Sequence, residues 1–184
     1  MTRETKSTGL YATASDFCRI FQEDMGNLYS LALLLTADSE KAEQCFVSGL
    51  ENCTEGNLVF KEWARSWARR TIIKGAIRLV ALDSTPGNAT PTPAANAQPI
   101  PAGLRPEMSA LLSLGPLDRF AFVTSVLEGY NDRDCALLLG CTQDSLVAAR
   151  TRAIQQIASR GSSLPEVPSV ASSLGSPVLL AIPA

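Results

Sequence analysis

The chain has 184 residues, of which 46% are hydrophobic and 18% charged, and its formal net charge is −2. The apolar fraction is enough for a sizeable core in one domain or two small ones. The sequence contains no histidine, which excludes Ser–His and Cys–His catalysis and histidine metal ligation. The slightly acidic balance gives no overall basic field that would indicate nucleic-acid binding.

The cysteines and the N-terminal segment bear on the cellular compartment. The five cysteines are odd in number and form no CxxC pair, which favours reduced, buried thiols over a metal site: Cys18, Cys45, Cys53, Cys135 and Cys141. Residues 1–14 lack the apolar segment of a signal peptide, and apolar runs such as 31–35 are far shorter than the roughly 20 residues that span a bilayer. We therefore expect a cytoplasmic protein without membrane insertion.

Two segments of unusual composition divide the chain. Residues 83–106 contain six of the eleven prolines and almost no charge, which is typical of a linker between domains. Residues 161–184 are rich in Ser and Pro, and we expect a disordered tail there. Two modules remain, residues 13–82 and 107–160.

The first module is predicted to be helical throughout. Apolar residues recur at helical spacing between Phe17 and Leu35. Asp38 or Ser39 is expected to cap the next helix, and Asn57 the last one. No segment alternates between apolar and polar residues, so we expect no sheet.

The second module is predicted to contain shorter helices. A helix is expected to begin at Pro116. Asn131 is a suitable N-cap for a helix that ends at Gly140, and Thr142 for a longer helix over residues 143–158. Two helices joined by a short glycine-containing turn form a helix-turn-helix pattern.

The segment from Lys61 to Arg78 concentrates basic charge. Six basic residues against one acid give it a local charge of +5, in two stripes with four-residue spacing: Lys61, Arg65 and Arg69, then Arg70, Lys74 and Arg78. Trp63 and Trp67 lie in the same segment. Such a stripe suits phosphate neutralisation with stacking on exposed bases. A solvated helix face with both tryptophans in the core explains the pattern equally well, so both interpretations stay open.

The helix-turn-helix gives weaker evidence for DNA binding. Its second helix is expected to face a partner with Gln143, Asp144, Val147, Arg150 and Thr151, and Gln and Arg are suited to base edges or phosphates. The module has only five basic residues against six acidic ones, so on the residues alone a packing role is preferred. No phosphate-binding loop, metal-carboxylate pair or nucleophile motif is present. We therefore expect no enzymatic activity and no cofactor.

The order of the two modules resembles the two-domain, extracytoplasmic-function type of bacterial sigma factor. In the first module, Leu28–Asp38 with Ala42–Glu43 is similar to the opening helices of sigma region two, and Phe60–Trp63 with Ala68–Arg69 to the start of its promoter-melting helix. In the second module, several segments are similar to region four: Leu114–Pro116, Glu128–Tyr130, Ala136, Leu139–Thr142 and Arg152–Ala153.

The resemblance implies an all-α protein of two small helical domains that binds core RNA polymerase and promoter DNA to direct transcription initiation. It implies polymerase contacts by one helix, through Ala42, Glu43, Phe46 and Leu50. It implies DNA contacts by the six basic residues above and by residues of the helix-turn-helix, namely Thr142, Gln143, Ser145, Arg150 and Arg152. An anti-sigma factor is the further partner that the family suggests.

The chain departs from the family pattern at several functional positions. The unusual residues are Gln44 and Val47 in the polymerase-contacting helix, Arg70 and Lys74 in the melting helix, and Val147 and Ala149 in the recognition helix. The scaffold therefore matches the family better than the functional residues do. The alternative is a diverged sigma-like protein that acts as a protein-binding transcription regulator, with weak or no promoter recognition.

Overall fold

A computed structural model describes residues 9–55, 58–83 and 106–161 of the chain. These residues form eight α-helices, with one 3₁₀ turn, one π-helical segment and no strand beyond a single isolated bridge. The all-α fold class predicted from the sequence is confirmed. The expected linker and tail lie, except for their helical end residues, outside the described residues. No helix in the described part is both long and apolar enough to cross a membrane.

The first module contains four helices: α1 (Ala14–Glu23), α2 (Met25–Thr36), α3 (Ser39–Thr54) and α4 (Ala64–Asp83). Asp38, one of the two residues predicted to cap α3, does so. Its carboxylate accepts hydrogen bonds from the backbone N–H groups of Glu40 at 2.9 Å and Lys41 at 3.1 Å. These bonds satisfy two of the donors that a helix leaves unpaired at its start.

The last helix of the first module begins later than the sequence pattern suggests. Phe60 is extended and forms an isolated antiparallel bridge with Tyr11, and the Tyr11 and Phe60 rings stack at 4.9 Å. The backbone N–H of Lys61 donates to the Leu10 carbonyl at 3.0 Å. This pairing delays the helix, so a 3₁₀ turn (Lys61–Trp63) precedes α4. The predicted cap, Asn57, lies outside the described residues.

Helices α3 and α4 approach each other closely because small residues face the contact. A Cβ atom on Gly49 would lie 2.6 Å from Cδ1 of Ile72, and one on Gly75 would lie 3.1 Å from Sγ of Cys45. The Cys45 thiol donates to the Ile72 carbonyl at 3.1 Å. The sequence therefore positions the basic face of α4 directly beside α3.

The second module contains four more helices and a π-helical segment: α5 (Pro106–Leu112), α6 (Pro116–Phe122), the π segment (Val123–Leu127), α7 (Asp132–Leu139) and α8 (Gln143–Gly161). The predicted caps are confirmed. Asn131 accepts from the backbone N–H of Asp134 at 2.9 Å, and Thr142 accepts from that of Ser145 at 3.2 Å. Gly140 ends α7 with a φ of 64°, a left-handed conformation that favours glycine.

The two modules pack against each other. Leu111, Leu114 and Phe120 belong to the same buried cluster as the core of the first module, and the division into two separate domains stays a prediction. Arg119 of α6 is only 5% exposed, and its guanidinium donates to the carbonyl oxygens of Leu35 at 3.1 Å, Thr36 at 3.3 Å and Leu114 at 3.0 Å. Burial lowers the pKa of Arg119 to about 10, so it stays charged at neutral pH. It therefore stabilises the C-terminal end of α2 from the other module.

Candidate nucleic-acid interface

The first basic stripe, which runs from Lys61 in the 3₁₀ turn into α4, is paired with carboxylates of the protein itself. Lys61 Nζ lies 3.4 Å from Asp16, and Arg65 pairs with Glu23 at 2.5 Å and with Asp24. Hydrogen bonds to Asp24 and Glu23 raise the pKa of Arg65. Helix α1 and the residue that follows it supply all three acids. These two cations therefore connect helices within the first module.

Arg69, the third member of that stripe, pairs with the second module. Its guanidinium makes a two-pronged contact with the Glu128 carboxylate, with 2.7 Å between Nε and Oε2. Hydrogen bonding to Glu128 raises the pKa of Arg69. Arg69 was expected to contact DNA, but in this structure its guanidinium is occupied by Glu128.

The second stripe has a different environment. Arg70, Lys74 and Arg78 are exposed, and none of them forms an ion pair with a described residue. They line a groove of about 170 Å³ between α4 and α3. Residues Ser48 and Asn52 of α3 form the opposite wall, which carries no acid. The groove therefore presents three uncompensated positive charges to a ligand.

An unpaired hydrogen-bond donor belongs to Trp67, one of the residues that line this groove. Nε1 of Trp67 is buried and has no hydrogen-bond acceptor among the described residues. The Lys74 ammonium lies 6.0 Å from the centre of the Trp67 ring, at the outer limit of a cation–π contact. Buried donors usually have partners, so Nε1 of Trp67 is unusual in lacking one.

The sequence left open whether Trp63 and Trp67 are core residues, and the structure shows that they differ. Trp63 is 58% exposed and contacts the Phe60 ring edge-on at 5.2 Å, so it is not a core residue. Trp67 is partly buried and packs against the hydrophobic core. Both line a larger cleft of about 800 Å³ between α4 and the second module. Tyr130 lies on the opposite wall, and burial raises its pKa.

The arginines of α8 are paired within the second module. Arg150 binds Asp132 of α7 at 2.5 Å, and Arg152 binds Asp118 of α6 at 2.7 Å. The hydrogen bond from Arg150 lowers the pKa of Asp132. Two of the DNA contacts expected from the helix-turn-helix are therefore occupied by acids of the same module.

The other expected contacts of α8 lie at its start. Gln143 is exposed, and the Thr142 and Ser145 hydroxyls bond to each other at 2.9 Å as part of the N-cap. Further along, one exposed face of α8 carries Val147, Ala148, Thr151 and Ile154, none of which is basic. Ala149, which stands where the family usually has a basic residue, is fully buried.

The expected polymerase-contacting residues mostly face the core. Ala42 is fully buried, and Phe46 and Leu50 pack against the hydrophobic cluster. Only Glu43 of the four is exposed. The surface that α3 offers instead surrounds a depression of about 380 Å³ lined by Glu40, Glu43, Gln44, Val47, Ser48 and Glu51. Helical periodicity, counted from Glu43, could have identified Glu40, Val47 and Glu51 in the sequence.

The cysteines and acids form no evident metal site in the part of the chain that the structure describes. Three cysteines are buried as expected, namely Cys45, Cys53 and Cys135, whereas Cys18 is exposed and Cys141 partly so. Burial raises the pKa of Cys45 to about 11. The buried thiols therefore stay protonated and unreactive at neutral pH.

Comparison with known proteins supports the fold. No protein-family model matches the chain, and no curated protein matches it in sequence. Among solved structures it is similar to the sigma factor RpoE of Bartonella quintana, solved in complex with the anti-sigma factor NepR. The two are 18% identical, the match covers 81% of this chain and 98% of that one, and the TM-score is 0.52. The chain therefore has a fold similar to that of a sigma factor.

Proposed function

We propose that the chain is a sigma-factor-like protein that binds core RNA polymerase and promoter DNA to direct transcription initiation. The observation that carries this proposal is the groove of α4, in which Arg70, Lys74 and Arg78 are exposed without carboxylate partners. Three cations at four-residue spacing match the repeated phosphates of a nucleic-acid strand. The protein catalyses nothing itself, needs no cofactor and acts in the cytoplasm.

The two protein partners bind elsewhere in this proposal. Core polymerase contacts the exposed face of α3, where Glu43 and Val47 lie among further acids. An anti-sigma factor is the second partner, since the similar solved sigma factor is bound to one. The acidic face of α3 suits a basic partner surface.

Binding measurements test the proposal directly. The full chain should bind a fluorescent single-stranded oligonucleotide, with a slope of log K against log salt of about −2 for three phosphate contacts. It should also co-elute with core polymerase and support transcription from a cognate promoter. The proposal fails if the chain binds neither nucleic acid at low salt nor core polymerase.

A second candidate function has its own supporting observation. The exposed face of α8 around Val147, Thr151 and Ile154 has no free basic residue, because the neighbouring Arg150 and Arg152 are occupied by acids. Such a surface suits a protein partner better than a phosphate backbone. In this case the chain is a protein-binding regulator that has lost promoter recognition by the helix-turn-helix.

One variant discriminates the two functions. Val147→Lys places a basic residue on the exposed face of α8. If α8 meets duplex DNA, affinity should rise about eight-fold at 0.1 M salt, which corresponds to one added phosphate contact. Unchanged duplex affinity together with weaker binding of an anti-sigma factor would favour the protein-binding regulator. Gln22→Lys, an exposed change on α1, controls for the added charge.

A further inference from the structure

The contact between the two modules is tightly packed at one end and is made by an ion pair at the other. At one end, Arg119 is buried against the C-terminal carbonyls of α2, and Leu111 and Phe120 join the core. At the other end, Arg69 and Glu128 form an ion pair that lies between two openings. The first end is packed like a protein interior, whereas the second is held by a polar contact.

Cavities lie on either side of the ion pair. Arg69 and Glu128 both line the cleft of about 800 Å³ and also a second cavity of about 400 Å³ on their other side. The Glu128 side chain is 7% exposed and that of Arg69 is 39% exposed. A guanidinium with this exposure is within reach of solvent and of a ligand in the cleft.

The local backbone directs Glu128 at Arg69. The N–H of Glu128 donates to the Val123 carbonyl at 2.9 Å, a five-residue spacing that defines the π segment. Gly129 follows with a φ of 70°, and the N–H of Tyr130 donates to the Thr124 carbonyl at 3.0 Å. π-Helical turns of this kind occur frequently at functional sites, since they redirect a side chain at some cost in stability.

We propose that the Arg69–Glu128 pair is a clasp that closes the cleft, and that its release lets Arg69 join Arg70 and Lys74 on a nucleic-acid strand. This rests on the proposed binding of nucleic acid by α4. Glu128 and a phosphate compete for the same guanidinium, so strand binding and clasp opening are thermodynamically linked. The packed end at Arg119 is the hinge about which the cleft opens.

A substitution of Glu128 tests this coupling. In Glu128→Gln the clasp is weakened, and Arg69 becomes available as one further phosphate contact. The affinity for a single-stranded oligonucleotide should rise about five-fold at 0.1 M salt, and the salt slope should steepen by about 0.7. The gain should disappear in the double variant Arg69→Gln with Glu128→Gln. Retention of the gain without Arg69 would overturn the proposal.

The matched control removes an acid that does not touch Arg69. Glu62 is exposed and lies in the same basic segment, so Glu62→Gln makes the same charge change. Its salt slope should stay that of the wild type. A steepening equal to that of Glu128→Gln would attribute the effect to net charge and overturn the clasp.

A distance measurement tests the clasp without any nucleic acid. Spin labels are placed at Ser66→Cys, on the α4 wall of the cleft, and at Arg133→Cys, an exposed residue next to Asp134 of the opposite wall. In the background protein Cys18 and Cys141 are serine, and the other three cysteines are buried. Glu128→Gln should lengthen or broaden the distance distribution, and an unchanged distribution overturns the clasp. If no variant binds nucleic acid, the proposed function and the coupling both fail, while the distances still decide whether the clasp exists.

Discussion

Helices α4 and α8 both carry several basic residues, but they differ in what those residues contact. On α8, Arg150 and Arg152 are bound to acids of α7 and α6, and Arg160 is hydrogen-bonded to a serine. On α4, a whole stripe faces a groove without an acid. Neighbouring carboxylates, more than the number of basic residues, therefore determine whether a helix can bind an anion.

The origin of the difference lies in the neighbouring helices. The wall opposite the α4 stripe is made by Ser48, Gly49 and Asn52, which carry no charge. The helices beside α8 begin with acids, Asp118 on α6 and Asp132 on α7, which also favour the positive ends of those helices. The same acids that stabilise the start of these helices therefore neutralise the arginines of α8.

Charge reversal on α4 should change nucleic-acid binding most. Arg70→Glu with Lys74→Glu removes two phosphate contacts, which alone should lower single-strand affinity about 25-fold at 0.1 M salt. Both side chains are exposed, so the melting temperature should change little. Fluorescence anisotropy at several salt concentrations measures the loss. Arg133→Glu with Arg160→Glu makes the same charge change on the second module, and an equal loss there would remove the distinction between the helices.

A smaller effect is expected at the turn that leads into α8. Gly140 has a φ of 64°, so Gly140→Ala should lower the free energy of unfolding by about 1 kcal/mol. Chemical denaturation measures this change. Gly115 has a φ of −59°, and Gly115→Ala is the control that should be nearly neutral. If α8 makes no phosphate contact, strand affinity should be the same in both variants; a selective loss in Gly140→Ala would assign α8 a binding role.

The smallest effect is expected on α8 itself. Arg150→Gln with Arg152→Gln should change single-strand affinity less than about two-fold, because both arginines are already occupied by acids. A larger loss would show that these pairs exchange with phosphates.

The stability of the same double variant should also depend on pH differently from that of the wild type. Arg150 lowers the pKa of Asp132, so the pair stabilises the fold above the ordinary carboxyl pKa of 3.8 and this contribution is lost as the pH falls through the lowered value. Thermal melting at a series of pH values from about 5 to 2 should therefore show a smaller loss of stability with falling pH in the variant. Identical acid profiles would contradict this assignment.

Local signals in the sequence predicted much of the fold. The caps at Asp38, Asn131 and Thr142 and the end of α7 at Gly140 all depend on residues within a few positions, and the structure has them. The concentration of basic residues on α4 was also evident from the sequence. Local hydrogen bonding and helical periodicity are properties that a short window of sequence contains.

The contacts that decide which basic residues are free to bind an anion could not be predicted from such a short window of sequence. Arg65 finds its acids more than forty residues away, and Arg69 finds Glu128 fifty-nine residues away. Four-residue spacing placed Arg65 and Arg69 in one stripe, but the packing of other helices determined their partners. Likewise, the pairing of Phe60 with Tyr11 shortened α4 through a contact that no local pattern shows.

The unpaired indole nitrogen of Trp67 has a practical consequence. The chain has two tryptophans, of which Trp63 is exposed and Trp67 lines both the groove and the cleft. An acceptor that reaches Nε1 of Trp67 would shift its indole proton resonance downfield, while a ligand that stacks on Trp63 would change mainly the fluorescence. The protein thus carries two intrinsic spectroscopic reporters, and the order in which they respond would reveal the path by which a ligand enters.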